Sequence, residues 1–118
     1  MQYLLLIYGS EAELGKVSPA ELGSMYEEYG KFTGEIIAGG QFKGGNELHS
    51  ITKATTVRVR DGKPVVTDGP FAETKEQLGG YYLVDAKDLD EATSIAARIP
   101  GARYGSIEVR PIVVREGM

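Results

Sequence analysis

The chain has 118 residues, of which 42% are hydrophobic and 25% charged, and its formal net charge is −4 with the one histidine neutral. This composition is typical of a single globular domain, residues 1–118, with a radius of gyration of roughly 13–14 Å. The absence of cysteine excludes disulfides, thiolate zinc sites and cysteine nucleophiles, and one histidine excludes a multi-histidine metal site within the chain. We expect no bound metal.

The first half of the chain predicts a strand, a long helix and a weakly patterned segment. Residues 2–8 predict a strand that is apolar on both faces. Ser18-Pro19-Ala20-Glu21 is a capping box with proline at the first helical position, and Gly39-Gly40 ends the helix. Residues 41–50 predict a short or irregular strand. The predicted buried stripe of the helix consists of Leu22, Met25, Tyr26, Tyr29, Thr33, Ile36 and Ile37.

The second half predicts a hairpin, a strand, a helix and a last strand. Asp61-Gly62 is a strong two-residue turn signal, and Val57 and Val59 alternate with Arg58 and Arg60 before it. The predicted elements are strands at 54–60 and 64–67, a loop with a short helical turn at 68–78, a strand at 80–85, a helix at 88–99 and a strand at 106–114. The predicted core face of this helix consists of Leu89, Ala92, Ile95, Ala96 and Ile99.

The order of the predicted elements indicates the fold class. Strand, helix, strand, hairpin insert, strand, helix, strand is an α+β, ferredoxin-like βαββαβ order. Both helices cover one face of the sheet, yet the strands at 2–8 and 80–85 also carry apolar residues for the other face. Because monomers rarely leave a large apolar patch in water, we expect a homodimer in which two sheets pack face to face about a two-fold axis.

The composition also bears on the compartment and the partners. The apolar start, residues 3–8, has no basic lead-in and is too short for a signal peptide. No run approaches the roughly 18–20 apolar residues of a membrane span. The mild acidic balance differs from the basic stripe of nucleic-acid-binding proteins. We therefore expect a cytoplasmic protein that binds neither a membrane nor nucleic acid.

One contiguous segment carries a family resemblance. Residues 68–80, Asp-Gly-Pro-Phe-Ala-Glu-Thr-Lys-Glu-Gln-Leu-Gly-Gly, resemble the signature of the DGPF-domain family within the wider YCII-related superfamily. Residues 54–60 and 107–111 fit the same family, and the resemblance extends over about residues 1–114. It implies a dimeric α/β-barrel of ferredoxin-like subunits. Genes of the family often lie beside those of extracytoplasmic-function sigma factors, so it also implies a regulatory association.

The resemblance gives only part of a mechanism. Some YCII-related proteins are enzymes, including one with a dehydrochlorinase-like activity that relies on a His–Asp pair with the histidine near the start of the first helix. Residues 18–31 contain no histidine here, and the one histidine, His49, lies in the region of the second strand. Only the aspartate has a candidate, Asp68.

Two acidic residues are candidates for catalysis. Asp68 precedes Gly69-Pro70 and is either a base that projects into a cleft or a turn residue that hydrogen-bonds nearby backbone. Glu73 either assists it in acid–base chemistry or belongs to a solvated short helix with a contact to Gln77. Gly79-Gly80 lacks the spacing and the Lys-Ser/Thr of a phosphate loop and predicts a bulge or a close backbone approach. We expect no cofactor.

Five further side chains are candidates for binding a ligand. Two arginines on one strand face either bind an anion such as a carboxylate or are an exposed hairpin face. A lone histidine between Leu48 and Ser50 is more often a surface or packing residue. Tyr81 and Tyr82 are predicted to point to opposite sheet faces, one into the core. The candidates are Arg58, Arg60, Lys75, Tyr81 and His49.

Two classes of function remain open from the sequence. The first is a cofactor-free enzyme that performs acid–base chemistry on a small aromatic or carboxylated molecule, with Asp68 as the base. The second is a non-catalytic ligand-binding or protein-interaction module associated with sigma-factor regulation. The missing histidine in residues 18–31 favours the second class, and the polar cluster in residues 68–77 favours the first.

Overall fold

A computed structural model describes residues 1–115, and residues 116–118 of the predicted domain lie outside it. The strands are β1 (Gln2–Gly9), β2 (Phe42–Glu47), β3 (Thr55–Arg60), β4 (Lys63–Asp68), β5 (Gln77–Asp85) and β6 (Ser106–Pro111). The helices are α1 (Glu11–Leu14), α2 (Pro19–Ala38) and α3 (Leu89–Ala97), with 3-10 turns at Ile51–Lys53 and Pro100–Arg103. The order of the main elements is the predicted one.

The main sheet has the strand order β2-β5-β1-β6, and every neighbouring pair in it is antiparallel. This order is compatible with the ferredoxin-like fold, because the two central strands are the first and third of the four and each is followed along the chain by a helix. β3 and β4 form a separate two-stranded sheet. The α+β class predicted from the sequence is confirmed.

Both long helices begin at the predicted caps. The Ser18 hydroxyl accepts from the Glu21 backbone N–H at 3.2 Å, and the Asp88 carboxylate accepts from that of Glu91 at 2.9 Å. Each cap pairs a backbone donor that would otherwise be unsatisfied, which is worth about 0.5–2 kcal/mol. In residues 1–115 no helix combines the length and apolar character needed to cross a membrane.

The core lies between the helices and one face of the main sheet. Tyr3 pairs with Val84 in the β1–β5 register, so their side chains share this face. The largest fully buried side chains come from the strands, the helices and the connection that follows α3: Leu5, Val84, Ile36, Ile95 and Ile99. Full burial of one such side chain stabilises the fold by roughly 1.5–3 kcal/mol, so this layer accounts for much of the stability.

The predicted helix stripes are partly wrong. Phe32 of α2 is buried, whereas Tyr26, Ile37 and Leu89 are more than half exposed. The buried face of α2 follows Tyr29, Phe32 and Ile36, three and four residues apart. This face is rotated from the predicted one because Phe32 buries more apolar area than Thr33.

Two boundaries also differ from the prediction. Residues 69–76 contain bends and no helical turn, and β5 begins at Gln77 rather than at residue 80. β6 ends at Pro111, which pairs with Tyr3, rather than at residue 114, and the last contact with β1 is the Ile112 N–H that donates to the Gln2 carbonyl at 2.9 Å. Val113 and Val114 consequently lie exposed beyond the sheet.

The β3–β4 hairpin is an arm that extends from the body of the molecule. We call residues 55–68 the arm. Its side chains are largely exposed, and its turn has positive φ at Asp61 (51°) and Gly62 (75°), as a two-residue hairpin requires. The radius of gyration is 16.4 Å, so the predicted compact value of roughly 13–14 Å is wrong. The principal dimensions are 48 × 47 × 18 Å, and the short one is about the depth of one sheet with one helix layer.

Candidate functional site

The signature segment forms a loop between the arm and β5, and we call residues 69–76 the signature loop. Its last residues are fixed to the sheet. The Ser106 hydroxyl at the start of β6 donates to the Glu76 carboxylate at 2.9 Å. The Gln77 side-chain amide donates to the Thr74 carbonyl at 2.5 Å. The loop is therefore held against one end of the main sheet by contacts from two strands.

Glu11, which the sequence analysis did not single out, joins three segments at this end of the sheet. Its carboxylate accepts from the Ser50 hydroxyl at 2.7 Å and from the Ile51 backbone N–H at 3.0 Å. Its own backbone N–H donates to the Gln77 side chain at 3.0 Å. Hydrogen bonds to a charged acceptor are the stronger class, so Glu11 orders the approach to the arm. No local sequence signal identifies a contact across 39 residues.

The root of the arm is closed by backbone contacts around Gly69. The Gly69 N–H donates to the Ala54 carbonyl at 2.7 Å, and the Thr56 hydroxyl donates to the Gly69 carbonyl at 2.8 Å. Gly69 has φ +98°, which favours glycine. Asp68 takes no part in this closure: its carboxylate is exposed and has no hydrogen-bond or ion-pair partner in residues 1–115. The turn-residue interpretation of Asp68 is therefore not supported.

Glu73 and Lys75 lie exposed in the signature loop. Neither side chain makes a hydrogen bond or ion pair with another described residue. The anticipated contact between Glu73 and Gln77 is absent from these residues, because the loop is not helical and Gln77 bonds to Thr74 and Glu11 instead. The Glu73 carboxylate and the Lys75 ammonium are thus available to solvent in the loop that follows the arm.

The structure separates the two predicted arginines from Asp68. In the β3–β4 register Thr55 pairs with Asp68, so Asp68 shares the arm face of Val57 and Val59. Arg58 and Arg60 alternate onto the opposite face. The arm therefore has an apolar face that ends in a carboxylate and a second face with cations.

Tyr81 lies on the face of the main sheet opposite the helices, which we call the open face. The Asn46 side-chain amide donates to the Tyr81 hydroxyl at 2.8 Å. Tyr82 points the other way, where its hydroxyl lies 2.7 Å from that of Thr33, as the opposite-face prediction requires. The centre of the open face is half-buried and apolar, and exposed opposite charges lie on its β6 edge. Its residues are Leu4, Leu6, Tyr81, Leu83, Glu108 and Arg110.

His49 follows β2 and is exposed. No described residue makes a hydrogen bond or ion pair with its imidazole. The structure places it in the connection held by Glu11 and does not bring it into contact with Asp68. No His–Asp pair is formed within residues 1–115.

Two phenols lie on the other side of the sheet, between α2 and the strands. The Tyr26 hydroxyl donates to Glu47 at 2.8 Å, and this bond raises the pKa of Tyr26 above its usual range. The Tyr29 hydroxyl accepts from the Gly101 N–H at 3.1 Å, and burial raises the pKa of Tyr29. Both phenols are therefore neutral hydrogen-bonding groups near pH 7, and neither is a base there.

The raised pKa of Tyr29 predicts a loss of stability at alkaline pH. In the unfolded chain the phenol ionises near pH 10, whereas in the folded state it stays neutral to higher pH. Its contribution is thus present below about pH 10 and is lost as the pH rises further. We expect Tyr29→Phe to reduce the fall in unfolding free energy between about pH 9 and 11, measured by urea unfolding. Tyr104→Phe, at an exposed position, is the control; an equal reduction in both variants would contradict the assignment.

Two grooves in residues 1–115 lie away from the predicted site. One groove of about 320 Å³ lies between α2 and the end of α3, beside Phe32 and Arg98, and another of about 400 Å³ lies beside Met1 and Asp85. Neither is lined by any predicted site residue. In residues 1–115 no three histidine or acidic side chains converge as metal ligands. Asp68 is exposed and lines neither groove.

Two comparisons with known proteins match nearly the whole chain. The profile of the YCII-related domain matches residues 1–115. An uncharacterised protein of Rhizobium meliloti (strain 1021) is 36% identical over 116 residues, which is 97% of this chain and 94% of the relative. Both matches include the sheet, the arm and the signature loop.

Proposed function

The chain belongs to the YCII-related family, and on that premise we propose that it is a homodimeric, cofactor-free enzyme that transfers a proton on a small organic molecule. Asp68 is the general base and Glu73 assists it. The observation that carries this proposal is the exposed Asp68 carboxylate, which has no partner in residues 1–115. A carboxylate that stabilises no turn is free to accept a proton.

The open face supports the homodimer. Its leucines and Tyr81 are only half-buried, and apolar faces of this kind are usually covered. Glu108 and Arg110 lie on it two residues apart. In a two-fold interface the same patch meets itself, so each carboxylate of one copy can pair with a guanidinium of the other.

The proposed chemistry uses groups of the arm, the signature loop and the open face. A proton on a carbon next to a carbonyl or carboxylate passes to an Asp68 carboxylate oxygen and leaves its electron pair on the substrate. In an isomerisation the protonated Asp68 returns the proton to another carbon. In an elimination the electron pair expels a leaving group, and Asp68 then loses its proton to water. Lys75 offers a cation to a substrate carboxylate. Arg58 and Arg60 face away from Asp68, so they reach the same ligand only from a second copy. Tyr81 and His49 complete the proposed set as hydrogen-bonding groups.

A second function has an observation in its favour. Within residues 1–115 His49 has no hydrogen-bond partner, and no His–Asp pair is present. A non-catalytic module, binding a small ligand or a protein of sigma-factor regulation, needs no such pair. The same surface would then bind without chemistry.

Solvent deuterium distinguishes the two functions. Wild-type protein, treated with a chelator, is incubated in D₂O with a panel of small carboxylates and phenols, and proton NMR follows the loss of each C–H signal. We expect exchange proportional to the protein concentration for at least one compound. Saturation transfer in the same samples reports binding. Binding without exchange would favour the module, and neither signal in the panel would contradict the enzyme.

A further inference from the structure

We infer that the arm packs its apolar face against a second copy of this chain, so that two subunits together enclose Asp68. This inference rests on the homodimer of the proposed function and goes beyond it, because it assigns an interface to a segment that lies outside the main sheet. It also gives a reason why the single chain leaves Asp68 open to solvent.

The arm has one continuous apolar face. Val57 pairs with Val66, and Val59 pairs with Pro64, so these four side chains lie on the same side of the hairpin. Val57, Val59 and Val66 are each 61% exposed. Asp68 ends this face at its root. Whatever covers the valines therefore also lies next to the Asp68 carboxylate.

The arm needs external support. An isolated two-stranded hairpin is marginally stable in water, and β3 and β4 pair only with each other. Its valines lie in solvent in the single chain. A partner that covers them stabilises both the hairpin and the position of Asp68.

Long-range charge favours a second copy as that partner, with the cations Arg58, Arg60 and Lys63 on the arm face opposite the valines. The arm carries Arg58, Arg60 and Lys63 against Asp61 and Asp68, a net charge of +1, which leaves −5 on the rest of the chain. A positive arm on a negative body is attracted to the body of another copy. A nucleic acid or an anionic membrane would instead be repelled by that body.

The area required by a stable dimer points the same way. The four strands of the main sheet have 8, 6, 9 and 6 residues and lie about 4.8 Å apart, so the open face measures about 450 Å² in plane, and the arm adds about 200 Å². If each copy also offers about 200 Å² to the arm of the other, the total is about 850 Å² per partner, which is the standard size of a stable interface. The open face alone reaches about half of this area.

The shape of the molecule permits both contacts at once. The molecule is only 18 Å deep in its shortest dimension, and the arm extends within its long dimensions. The arm therefore does not fold over the open face or over the helices. A second copy laid on the open face can therefore reach the arm without a hinge motion.

The first test measures dimer dissociation by sedimentation equilibrium. Val57→Thr with Val66→Thr keeps the β-branched shape and removes apolar surface, so we expect the dissociation constant to rise about 10- to 100-fold. Val65→Thr makes the same change on the opposite arm face and should leave the constant within about threefold. Equal effects of the two, or no effect of the double variant, would overturn the arm interface.

The second test does not depend on the threonine variants folding. The chain has no cysteine, so one introduced thiol is the only one. Position 66 is more exposed than position 65 in the single chain, 61% against 43%. A covering subunit reverses this order: we expect maleimide to modify the thiol of Val66→Cys at least about 10-fold more slowly than that of Val65→Cys in the dimer. An unchanged order would overturn the inference.

A third variant separates this inference from the homodimer itself. Leu6→Lys places a charge at the centre of the open face, opposite Glu108 in the β1–β6 register, where a cross-strand pair is tolerated within the subunit. If Leu6→Lys dissociates the dimer and the arm variants do not, the homodimer is supported and the arm interface is rejected. If wild-type protein is monomeric up to about 1 mM, the homodimer and the arm interface are both rejected, and the valines belong to an interface with a different protein.

Discussion

Replacement of Asp68 by asparagine is expected to slow deuterium exchange into the substrate by about 10²- to 10⁴-fold, because it removes the general base and keeps the shape of the side chain. The free energy of unfolding should change by less than about 0.5 kcal/mol, since the carboxylate makes no hydrogen bond or ion pair within residues 1–115 and asparagine keeps its shape. Exchange by NMR and urea unfolding at matched protein concentration measure the two effects. Matched concentration is needed because the stability of a dimer depends on it.

Asp61→Asn is the matched control for this experiment. Asp61 lies at the tip of the same arm, is also exposed, and has φ 51°, a conformation that asparagine tolerates. Its replacement should leave exchange unchanged. Full exchange activity in Asp68→Asn would remove Asp68 from catalysis. A loss of about 0.5–2 kcal/mol of stability would instead assign the carboxylate a structural role in the turn.

The elements that the sequence predicts correctly are those with local signals. Ser18 and Asp88 mark helix starts because each pairs a backbone N–H within three residues. Asp61-Gly62 predicts the hairpin because both positions need positive φ. The alternation of Val57 and Arg58 predicts the two faces of the arm, because successive side chains of a strand point to opposite faces. This signal also depends only on neighbouring residues.

The features that the sequence does not reveal depend on distant contacts. Glu11 bonds to Ser50 across 39 residues, and no spacing rule connects them. The buried face of α2 is rotated toward Phe32 by its packing on the sheet, whereas three- and four-residue spacing alone allows Thr33 equally well. The extension of the arm also follows from the absence of a covering segment in residues 1–115 and not from its own residues.

In the candidate site, too, local sequence signals predict some features and distant contacts determine others. Asp68 ends β4 where the sequence predicts the start of a loop, and Glu73 lies among bends where the sequence predicts a short helical turn. Their catalytic roles stay predictions. The separation of Asp68 from Arg58 follows from strand alternation together with the register, and only the structure gives the register. A site shared between subunits has no signal in a single chain beyond its unpartnered apolar faces.

Gly105→Ala is expected to destabilise the protein by more than about 3 kcal/mol, a large part of the roughly 5–15 kcal/mol that stabilises a domain of this size. A Cβ at this position would lie 2.0 Å from the Tyr8 carbonyl oxygen and 3.1 Å from the Gly9 Cα. These atoms belong to the backbone of β1, so relief requires β6 to move away from β1 where Ser106 pairs with Tyr8. Urea unfolding followed by circular dichroism measures the loss.

Gly34→Ala is expected to raise the free energy of unfolding, and it is the control for replacing a glycine by alanine. Gly34 lies in α2 and is exposed, and a Cβ added there would meet no neighbouring element within 4 Å, so alanine should stabilise the helix by about 0.5–1 kcal/mol.

In Gly105→Ala, movement of β6 also removes the contact from Ser106 to Glu76 and loosens the signature loop. We therefore expect Gly105→Ala protein under native conditions to be cleaved first in residues 69–76 by a protease. Stability of Gly105→Ala equal to wild type would contradict the close approach of β1 and β6 on which the position of the loop depends.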